Sequence, residues 1–389
     1  MKEVTYLIVG GGMTAASAVS GIRELDKHGT IAILSSENQP PYNRPPLSKK
    51  LWTGKKKLED IWRDLPDDVA FHAGRTAVNL DLDRKVVTDD TGEQYRFEKL
   101  LLATGGSPRR LPFGGDNIIY YRDLNSYRRL RGLAAEHDRF VVIGGGFIGS
   151  EIAAALAMQG KQVTMLFPED GIGARIFPVE LASFLNEYYG EKGVNVLAGE
   201  SVTGLEGSGT DLTVLTESGR LISANGVVAG IGIIPNVALA ETAGLEVGNG
   251  IVVNGSLQTS HPDVYAAGDV ASFPDPYLDR RRRVEHEDAA NSMGRVAGQA
   301  MAGGDSTYDY SPMFYSDMFD LGYEAVGRLD SRLETDVAWE EPFHKGVITY
   351  IDEGKVAGVL NWNVWDQVDQ ARERLGQPVS AATRAATEG

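Results

Sequence analysis

Two glycine-rich turns of the same kind constrain the fold of this 389-residue chain more than any other feature. They lie at residues 10–15 (GGGMTA) and 144–149 (GGGFIG), and each follows a short apolar run, residues 6–9 (YLIV) and 140–143 (FVVI). Continuous apolar runs of this length are typical of buried parallel strands, and the small residues after each turn are typical of a helix. The sequence therefore predicts two strand–turn–helix units.

Such a unit is suited to binding a pyrophosphate. The first glycine makes the turn, the second lets the backbone approach the phosphates, and a small third residue lets the helix pack on the strand. The phosphates then lie at the helix N-terminus. The residues in these positions are Gly10, Gly12 and Ala15 in the first turn and Gly144, Gly146 and Gly149 in the second, where Phe147 and Ile148 open the helix. One such turn is a weak signal, but two predict two dinucleotides bound by one chain.

The absence of cysteine from the sequence excludes several kinds of redox chemistry. A chain without thiols can neither run a dithiol–disulfide relay nor hold a cysteine-ligated iron–sulfur cluster. Electrons must therefore pass through a bound organic cofactor. The 6 histidines show no metal-ligand spacing, so we expect no metal site.

Charge and hydropathy patterning narrow the partners and the location. A net charge of −16 argues against nucleic acid as the main partner. No uncharged apolar run of about 18 residues occurs, so we expect no membrane span. The chain enters its first strand without a basic, apolar signal region, which predicts a cytoplasmic protein.

A proline-rich loop and repeated glycine turns mark the organisation of the chain. Residues 40–49 contain four prolines, so we expect a fixed loop that presents Arg44 and Lys49. Buried strands end in glycine turns at residues 103–105 (ATG) and near Gly232, and a third runs into residues 268–269 (GD). From about residue 311 the composition shifts to aromatic-rich strands, and the small, polar residues from about 377 are typical of a disordered tail.

These segments resemble the flavin-dependent pyridine-nucleotide oxidoreductases with two dinucleotide-binding domains. Within that family the chain is most similar to the NADH-dependent ferredoxin and rubredoxin reductases, especially the members that resemble apoptosis-inducing factor. The resemblance covers nearly the whole chain and rests on residues 41–49, 103–105, 144–151, 167–169, 267–269, 283–286 and 313–317.

The resemblance implies FAD and NADH as cofactors and an α/β fold with two Rossmann-like domains plus a C-terminal α+β domain. The expected FAD-binding domain comprises residues 1–112 and a returning segment, 236–310. The expected NAD-binding domain comprises residues 113–235, and the C-terminal domain comprises residues 311–389.

The resemblance also assigns FAD contacts. The first glycine turn would hold the pyrophosphate, Asp269 the ribityl chain, and Arg44 a phosphate or the adenosine. The acid that usually follows the second strand is replaced by Ser36, with Glu37 next, so either residue is a candidate for the ribose. The remaining FAD candidates are Lys49, Ala103, Thr104, Gly105, Gly268, Glu285, His286, Phe314 and Tyr315. For Phe314 and Tyr315 a place in the C-terminal core is the alternative, and for His286 a hydrogen-bonded place in a helix.

The resemblance pairs Lys49 with Glu151 beside the flavin ring as the catalytic residues. A nearby ammonium stabilises the negative charge that reduction places on the ring, and the carboxylate keeps the idle pair neutral. The alternative is that Lys49 is a surface residue and that Glu151 is a first-turn helix residue favoured by the helix dipole.

NAD contacts follow from the second turn. Glu169 follows the apolar run 162–167, where a carboxylate accepts hydrogen bonds from both adenosine ribose hydroxyls and repels a 2′-phosphate. We therefore expect NADH to be preferred, although Arg175 opposes Glu169 with a positive charge. Glu151 and Gly232 complete the NAD candidates.

The implied function is hydride transfer from NADH to FAD, followed by single-electron transfer to a ferredoxin- or rubredoxin-like carrier. An NADH oxidase, a quinone reductase, and a redox sensor with a stable reduced-FAD–NAD complex remain open, as does a monomer or a homodimer. The arginine run 280–283 is either solvated surface or a docking patch for an acidic carrier.

Overall fold

The computed structural model describes residues 1–379, which divide into two compact units. The first unit contains residues 1–44, 58–107 and 234–313, and the second contains residues 45–57, 108–233 and those from 314 onward. Residues 45–57, which we expected in the FAD-binding segment, therefore belong by their contacts to the second unit. The α-helices of the described residues are Met13–Leu25, Leu124–Glu136, Phe147–Met158, Val179–Glu191, Ala238–Thr242, Glu287–Met301 and Val368–Glu373.

The main sheet of the first unit has a parallel core. The parallel strands, in spatial order, are Val69–Ala73, Ile31–Ser35, Lys2–Val9, Gln94–Leu102 and Val264–Ala266. An antiparallel hairpin, Ala77–Asp81 and Val86–Asp89, pairs with the start of Gln94–Leu102. The predicted apolar runs 6–9, 31–34 and 100–102 all lie in the buried centre of this sheet.

A close pair of helices covers this sheet. Met13–Leu25 packs against Glu287–Met301, and glycines let their backbones approach. A Cβ added at Gly298 would lie 2.2 Å from the carbonyl oxygen of Ala18, and one at Gly294 would lie 2.4 Å from that of Thr14. The returning segment therefore needs glycine at both positions. A smaller sheet of this unit has the order Val247–Gly248, Gly250–Val252, Ala271–Asp275 and Arg280–Arg282.

The second unit also contains a parallel β-sheet. Its five-stranded sheet is parallel in the order Val194–Ala198, Gln162–Phe167, Arg139–Ile143, Gly226–Ala229 and Ile118–Tyr120. An antiparallel sheet of Val202–Ser208, Asp211–Thr216 and Leu221–Ala224 accompanies it. Short 3₁₀ helices of this unit are Pro45–Ser48 and Gly115–Asn117, and those of the first unit are Leu58–Ile61 and Gly268–Val270. The remaining short strands are Gly106–Pro108 and Ile233–Pro235.

The C-terminal sheet of the second unit has the order Met313–Met318, Leu321–Gly327, Lys355–Trp362, Lys345–Asp352 and Glu334–Glu341. Its core is aromatic: the rings of Tyr323 and Trp362 stack 5.9 Å apart. Residues 377–379, which we expected to begin a disordered tail, bond to this sheet, since the carbonyl oxygen of Gln377 accepts from the Val356 N–H at 2.9 Å. The rest of the predicted tail lies outside the described residues. In residues 1–379, no helix combines the length and the apolar character needed to cross a membrane.

Candidate functional site

The first glycine turn has the geometry of a pyrophosphate site. Gly10 has a φ of +113°, and a Cβ there would lie 2.1 Å from the carbonyl oxygen of Ala103, so only glycine fits. Ala15 is fully buried one turn into the helix. Gly12 is the N-cap of Met13–Leu25, and within residues 1–379 no side chain caps that end. A Cβ at Gly12 would meet only the Arg44 guanidinium, at 4.0 Å. The free first-turn N–H groups and one cation therefore fit a pyrophosphate.

Glu37 is held in place at the end of the second strand. The Tyr42 hydroxyl donates to one of its carboxylate oxygens at 2.6 Å, and Arg44 pairs with the other. Ser36 is exposed, and its side chain makes no hydrogen bond to the described part of the chain. The structure thus fixes Glu37 beside Arg44, whereas Ser36 points to no protein partner.

The turn after the fourth parallel strand is tied to the returning segment. The Thr104 hydroxyl donates to the backbone oxygen of Asn236 at 2.7 Å, and the Asn236 side-chain amide donates back to the Thr104 backbone oxygen at 2.8 Å. The Asn236 N–H donates to the Gly105 carbonyl oxygen at 2.9 Å. The Thr104 hydroxyl therefore stabilises the turn itself, and Asn236 is a residue that the sequence analysis missed.

Asp269 lies next to the first helix. Gly268 has a φ of +76°, and a Cβ there would lie 2.3 Å from the Thr14 hydroxyl oxygen. The Arg283 guanidinium donates to the Asp269 backbone oxygen at 2.9 Å. The turn that carries Asp269 therefore lies against the first turn of helix Met13–Leu25 within the first unit.

The arginine run is part of a strand pair: Arg280 and Arg281 are exposed, as a solvated surface requires, whereas Arg282 and Arg283 are half-buried. Arg280–Arg282 pairs with Ala271–Asp275. The Arg282 side chain is 11% exposed and lies 3.3 Å from the buried Asp275 carboxylate. Arg281 donates to the backbone oxygen of Val253 at 2.7 Å, and Arg283 binds Glu285 at 2.8 Å. Their charges serve the fold of the first unit.

His286 is the N-cap of Glu287–Met301 and is half-buried. Burial, together with the positive charge of Arg282, lowers the pKa of His286 to about 3. The imidazole is therefore neutral at pH 7 and cannot donate a proton from a charged form there.

The structure brings Lys49 and Glu151 together in the second unit. The Lys49 ammonium lies 2.8 Å from the Glu151 carboxylate, and the two side chains are 9% and 2% exposed. The alternative that Lys49 is a surface residue is therefore wrong. The Lys49 ammonium also lies 5.1 Å from the centre of the Tyr315 ring.

Two serines that the sequence analysis missed complete this cluster. The Ser48 hydroxyl donates to one oxygen of Glu151 and the Ser316 hydroxyl to the other, both at 2.6 Å. Ser48 precedes Lys49 in the proline-rich loop, and Ser316 lies in the segment 313–317 that carries the family resemblance. The ammonium and the two hydroxyls together satisfy both oxygens of this buried carboxylate.

Hydrogen bonds from two aromatic side chains anchor the loop that carries Lys49. The prolines we expected to exclude regular helix form one 3₁₀ turn, Pro45–Ser48. The backbone oxygen of Leu47 accepts from the Tyr121 hydroxyl at 2.5 Å and from the Trp52 indole N–H at 2.8 Å. The position of Lys49 is thus preorganised.

The aromatic candidates divide between core and site. Phe314 is buried and packs edge-on against Phe147 at 6.0 Å and Tyr323 at 6.2 Å. Phe314 thus occupies the C-terminal core, the alternative that the sequence left open, whereas Tyr315 lies over Lys49. Phe147 is 39% exposed at the start of its helix.

The second glycine turn repeats the geometry of the first. Gly144 has a φ of +116°, and a Cβ there would lie 2.4 Å from the carbonyl oxygen of Gly230. A Cβ at Gly149 would lie 1.9 Å from the carbonyl oxygen of Gly144, whereas one at Gly146 meets no described atom within 4 Å. Gly146 is the N-cap of Phe147–Met158, which has no side-chain cap in the described residues. This end therefore also fits a pyrophosphate.

Glu169 lies two residues after the strand Gln162–Phe167 and is 25% exposed. The Arg175 Nε donates to its carboxylate at 2.8 Å, while the Arg175 side chain is 84% exposed. Arg175 is thus an exposed partner of Glu169. Gly232, with a φ of +89°, accepts from the Arg109 N–H at 2.9 Å.

Two glycine-rich turns that open helices without side-chain caps in the described part of the chain, together with a buried lysine–glutamate pair, are typical of nucleotide-dependent redox flavoproteins. The family model "Pyridine nucleotide-disulphide oxidoreductase" matches residues 4–294, and "Apoptosis-inducing factor, mitochondrion-associated, C-term" matches residues 297–341. The chain belongs to the pyridine nucleotide-disulphide oxidoreductase family. It is an FAD-dependent oxidoreductase whose cofactors are FAD and NAD(H), as the sequence predicted.

Curated relatives span almost the whole chain. Apoptosis-inducing factor 1, mitochondrial, from Dictyostelium discoideum is 35% identical over 96% of this chain and 79% of its own length. Monodehydroascorbate reductase 3 from Arabidopsis thaliana is 35% identical over 92% of this chain and 89% of its own length.

A solved structure confirms the predicted fold class. The chain is similar to a chain in the crystal structure of the covalent putidaredoxin reductase–putidaredoxin complex, with a TM-score of 0.90 and 29% identity. The match covers 100% of this chain and 100% of the matched chain. The two Rossmann-like parts and the C-terminal α+β part are therefore as expected.

Proposed function

We propose that this protein is an NADH-dependent reductase that delivers single electrons to a small iron–sulfur protein. The observation that carries the proposal is the buried Lys49–Glu151 pair, in a chain similar over its full length to a reductase solved in complex with putidaredoxin. NADH supplies two electrons and one proton, and bound FAD is the carrier that accepts electrons in pairs and releases them singly.

The residues of the chain have separate parts in this proposal. Gly10, Gly12 and Arg44 hold the FAD pyrophosphate, and Asp269 holds the ribityl chain. The Lys49 ammonium stabilises negative charge on the reduced flavin, and Glu151 fixes the ammonium in its position. The chain contains no cysteine, so these residues act without a thiol relay.

A second set of residues binds NADH in this proposal. Gly144 and Gly146 present the helix N-terminus to the pyrophosphate of NADH. Glu169 binds the adenosine ribose hydroxyls and repels a 2′-phosphate, which supports a preference for NADH over NADPH. The division into FAD domain (1–112, 236–310), NAD domain (113–235) and C-terminal domain (311–389), and the cytoplasmic location, belong to this proposal.

A second acceptor class is favoured by one observation. The similarity to monodehydroascorbate reductase 3 supports an organic radical as the one-electron acceptor. The two candidates share the FAD and NADH chemistry and differ only in the acceptor.

Acceptor competition tests the proposal. Steady-state NADH oxidation is measured under argon with acidic [2Fe–2S] ferredoxins, with monodehydroascorbate generated in place, and with a neutral quinone. We expect the highest kcat/KM for a ferredoxin. A kcat/KM for monodehydroascorbate at least tenfold above every ferredoxin would transfer the proposal to the organic radical, and NADH oxidation only in air would contradict both.

A further inference from the structure

Positive charge is concentrated in two neighbouring elements of the second unit. Residues 45–57 contain five lysines and neither aspartate nor glutamate, in a chain with a net charge of −16. Helix Leu124–Glu136 adds three arginines against one glutamate. An acidic protein that keeps so many cations together maintains a local field opposite to its own net charge.

These two elements are packed into one rigid surface. The Trp52 ring meets the Tyr127 ring edge-on at 5.8 Å, and the Arg131 guanidinium lies 5.1 Å from the centre of the Trp52 ring. Gln159 joins them, because it donates to the Trp52 backbone oxygen at 3.0 Å and accepts from Arg131 at 3.1 Å. The two segments that carry the cations are therefore joined through Trp52 and Arg131. We call Lys50, Lys55, Lys56, Arg128 and Arg131 the basic surface.

Four of the five cations of the basic surface are not neutralised by ion pairs in residues 1–379. Lys50, Lys55 and Arg128 are exposed, and Lys56 is half-buried. None of these four forms an ion pair with any residue in 1–379, whereas Lys161 and Lys192 pair with Asp138 and Asp320. Exposed cations without an acid beside them keep their field available to a partner.

The basic surface shares its segment with the proposed catalytic lysine. Lys50 directly follows Lys49, and Lys55 is six residues beyond Lys49. Because a chain extends by at most about 3.6 Å per residue, the Cα of Lys55 lies within about 22 Å of that of Lys49. The 3₁₀ turn anchors the start of this segment and Trp52 its middle.

We infer that the basic surface is the docking site for an acidic iron–sulfur electron carrier. This inference rests on the proposed function and names the surface through which it acts. An acidic carrier approaching a protein of net charge −16 is repelled at long range, but at about 0.15 M salt charges beyond about 8 Å are largely screened. Contact pairs with Lys50, Lys55 and Lys56 then set the encounter rate. The run 280–283 presents two exposed arginines, fewer than the three exposed cations of the basic surface, because Arg282 and Arg283 are half-buried and paired with acids of the first unit.

Charge reversal tests the inference in the FAD-loaded protein. Lys55→Glu with Lys56→Glu is compared with a matched control, Arg84→Glu with Lys355→Glu, which makes the same change in net charge at exposed residues outside the basic surface. The dissociation constant of an acidic [2Fe–2S] ferredoxin is measured calorimetrically at 20 mM and 500 mM salt. Reduction of the ferredoxin and of a neutral quinone is measured in parallel.

We expect the test variant to bind ferredoxin at least tenfold more weakly at low salt, the control to change less than twofold, and quinone reduction to stay at the parent rate. High salt should remove the difference. Equal weakening in test and control would overturn the docking site while leaving the proposed function intact. A parent protein that reduces the quinone but no ferredoxin would overturn both. If the reversed variant does not fold, Lys55→Gln with Lys56→Gln is used, with an expected loss of at least threefold.

Discussion

At the scale of single residues, Glu151 is the most tightly specified side chain of the site. Burying a carboxylate is costly unless it is paired and hydrogen-bonded, and here Lys49, Ser48 and Ser316 supply one ammonium and two hydroxyls. Removing only Lys49 would leave a buried charge without a counter-ion. Its effect on catalysis is therefore separated from its effect on stability only when Glu151 is neutralised with it.

The double variant Lys49→Met with Glu151→Gln should keep its FAD but be reduced slowly by NADH. Because the ammonium acts chiefly when negative charge develops, its loss should lower the reduction rate about 100-fold. Stopped-flow absorbance follows the reduction, and the flavin-to-protein absorbance ratio reports FAD content. Lys50→Met, an exposed neighbour, is the control. A double variant with full FAD and the parent rate would remove Lys49 from the mechanism.

The preference for NADH should depend on the charge of Glu169. In Glu169→Gln the repulsion of a 2′-phosphate is lost, and Arg175 is released to attract it. The ratio of kcat/KM for NADH to that for NADPH should fall about tenfold, or about 1.4 kcal/mol. Glu187→Gln makes the same charge change at an exposed residue and should leave the ratio unchanged. Parallel changes in the two variants would exclude a specific role for Glu169.

At the scale of elements, backbone contact between helices depends on glycine. Gly298 in Glu287–Met301 touches the backbone of Met13–Leu25, whereas a Cβ at Gly132, in the exposed face of Leu124–Glu136, meets no described atom within 4 Å. Replacing glycine by alanine therefore tests helix packing at Gly298 and helix propensity at Gly132.

Gly298→Ala and Gly132→Ala should change stability in opposite directions. Gly298→Ala should cost about 1–3 kcal/mol through overpacking, whereas Gly132→Ala should add about 0.5–1 kcal/mol. The midpoint of thermal unfolding of the FAD-loaded protein measures both. A shift of the same sign and size in the two variants would show that helix packing does not limit stability in the first unit.

The elements show what the sequence can predict and what it cannot. Buried parallel strands appear as continuous apolar runs, so the strands around residues 6–9 and 140–143 and the turns that follow could be found locally. The partial burial of Arg282 could not be predicted from the local sequence, because it depends on the strand pairing that brings Asp275 beside it. Ser316 is 165 positions from Glu151 in sequence, and no local pattern links them.

At the scale of the whole molecule, the two phosphate-binding turns each have their own sheet and their own glycine contacts. The purified protein should therefore be yellow and carry one non-covalent FAD per chain, since no cysteine is present to form a thioether. Mild denaturation followed by chromatography should release all the flavin as intact FAD. Flavin that stays with the polypeptide, or a colourless protein that takes up no FAD, would be incompatible with the fold described.

In the proposed reaction, electrons enter in pairs from NADH and leave singly to an iron–sulfur protein. Electron counting tests it most directly. Limiting NADH is mixed under argon with the protein and excess oxidised [2Fe–2S] ferredoxin, and the absorbance of both NADH and the ferredoxin is followed to completion. Two ferredoxins should be reduced for each NADH consumed. Consumption of NADH up to one equivalent of bound FAD, with no ferredoxin reduced, would contradict it.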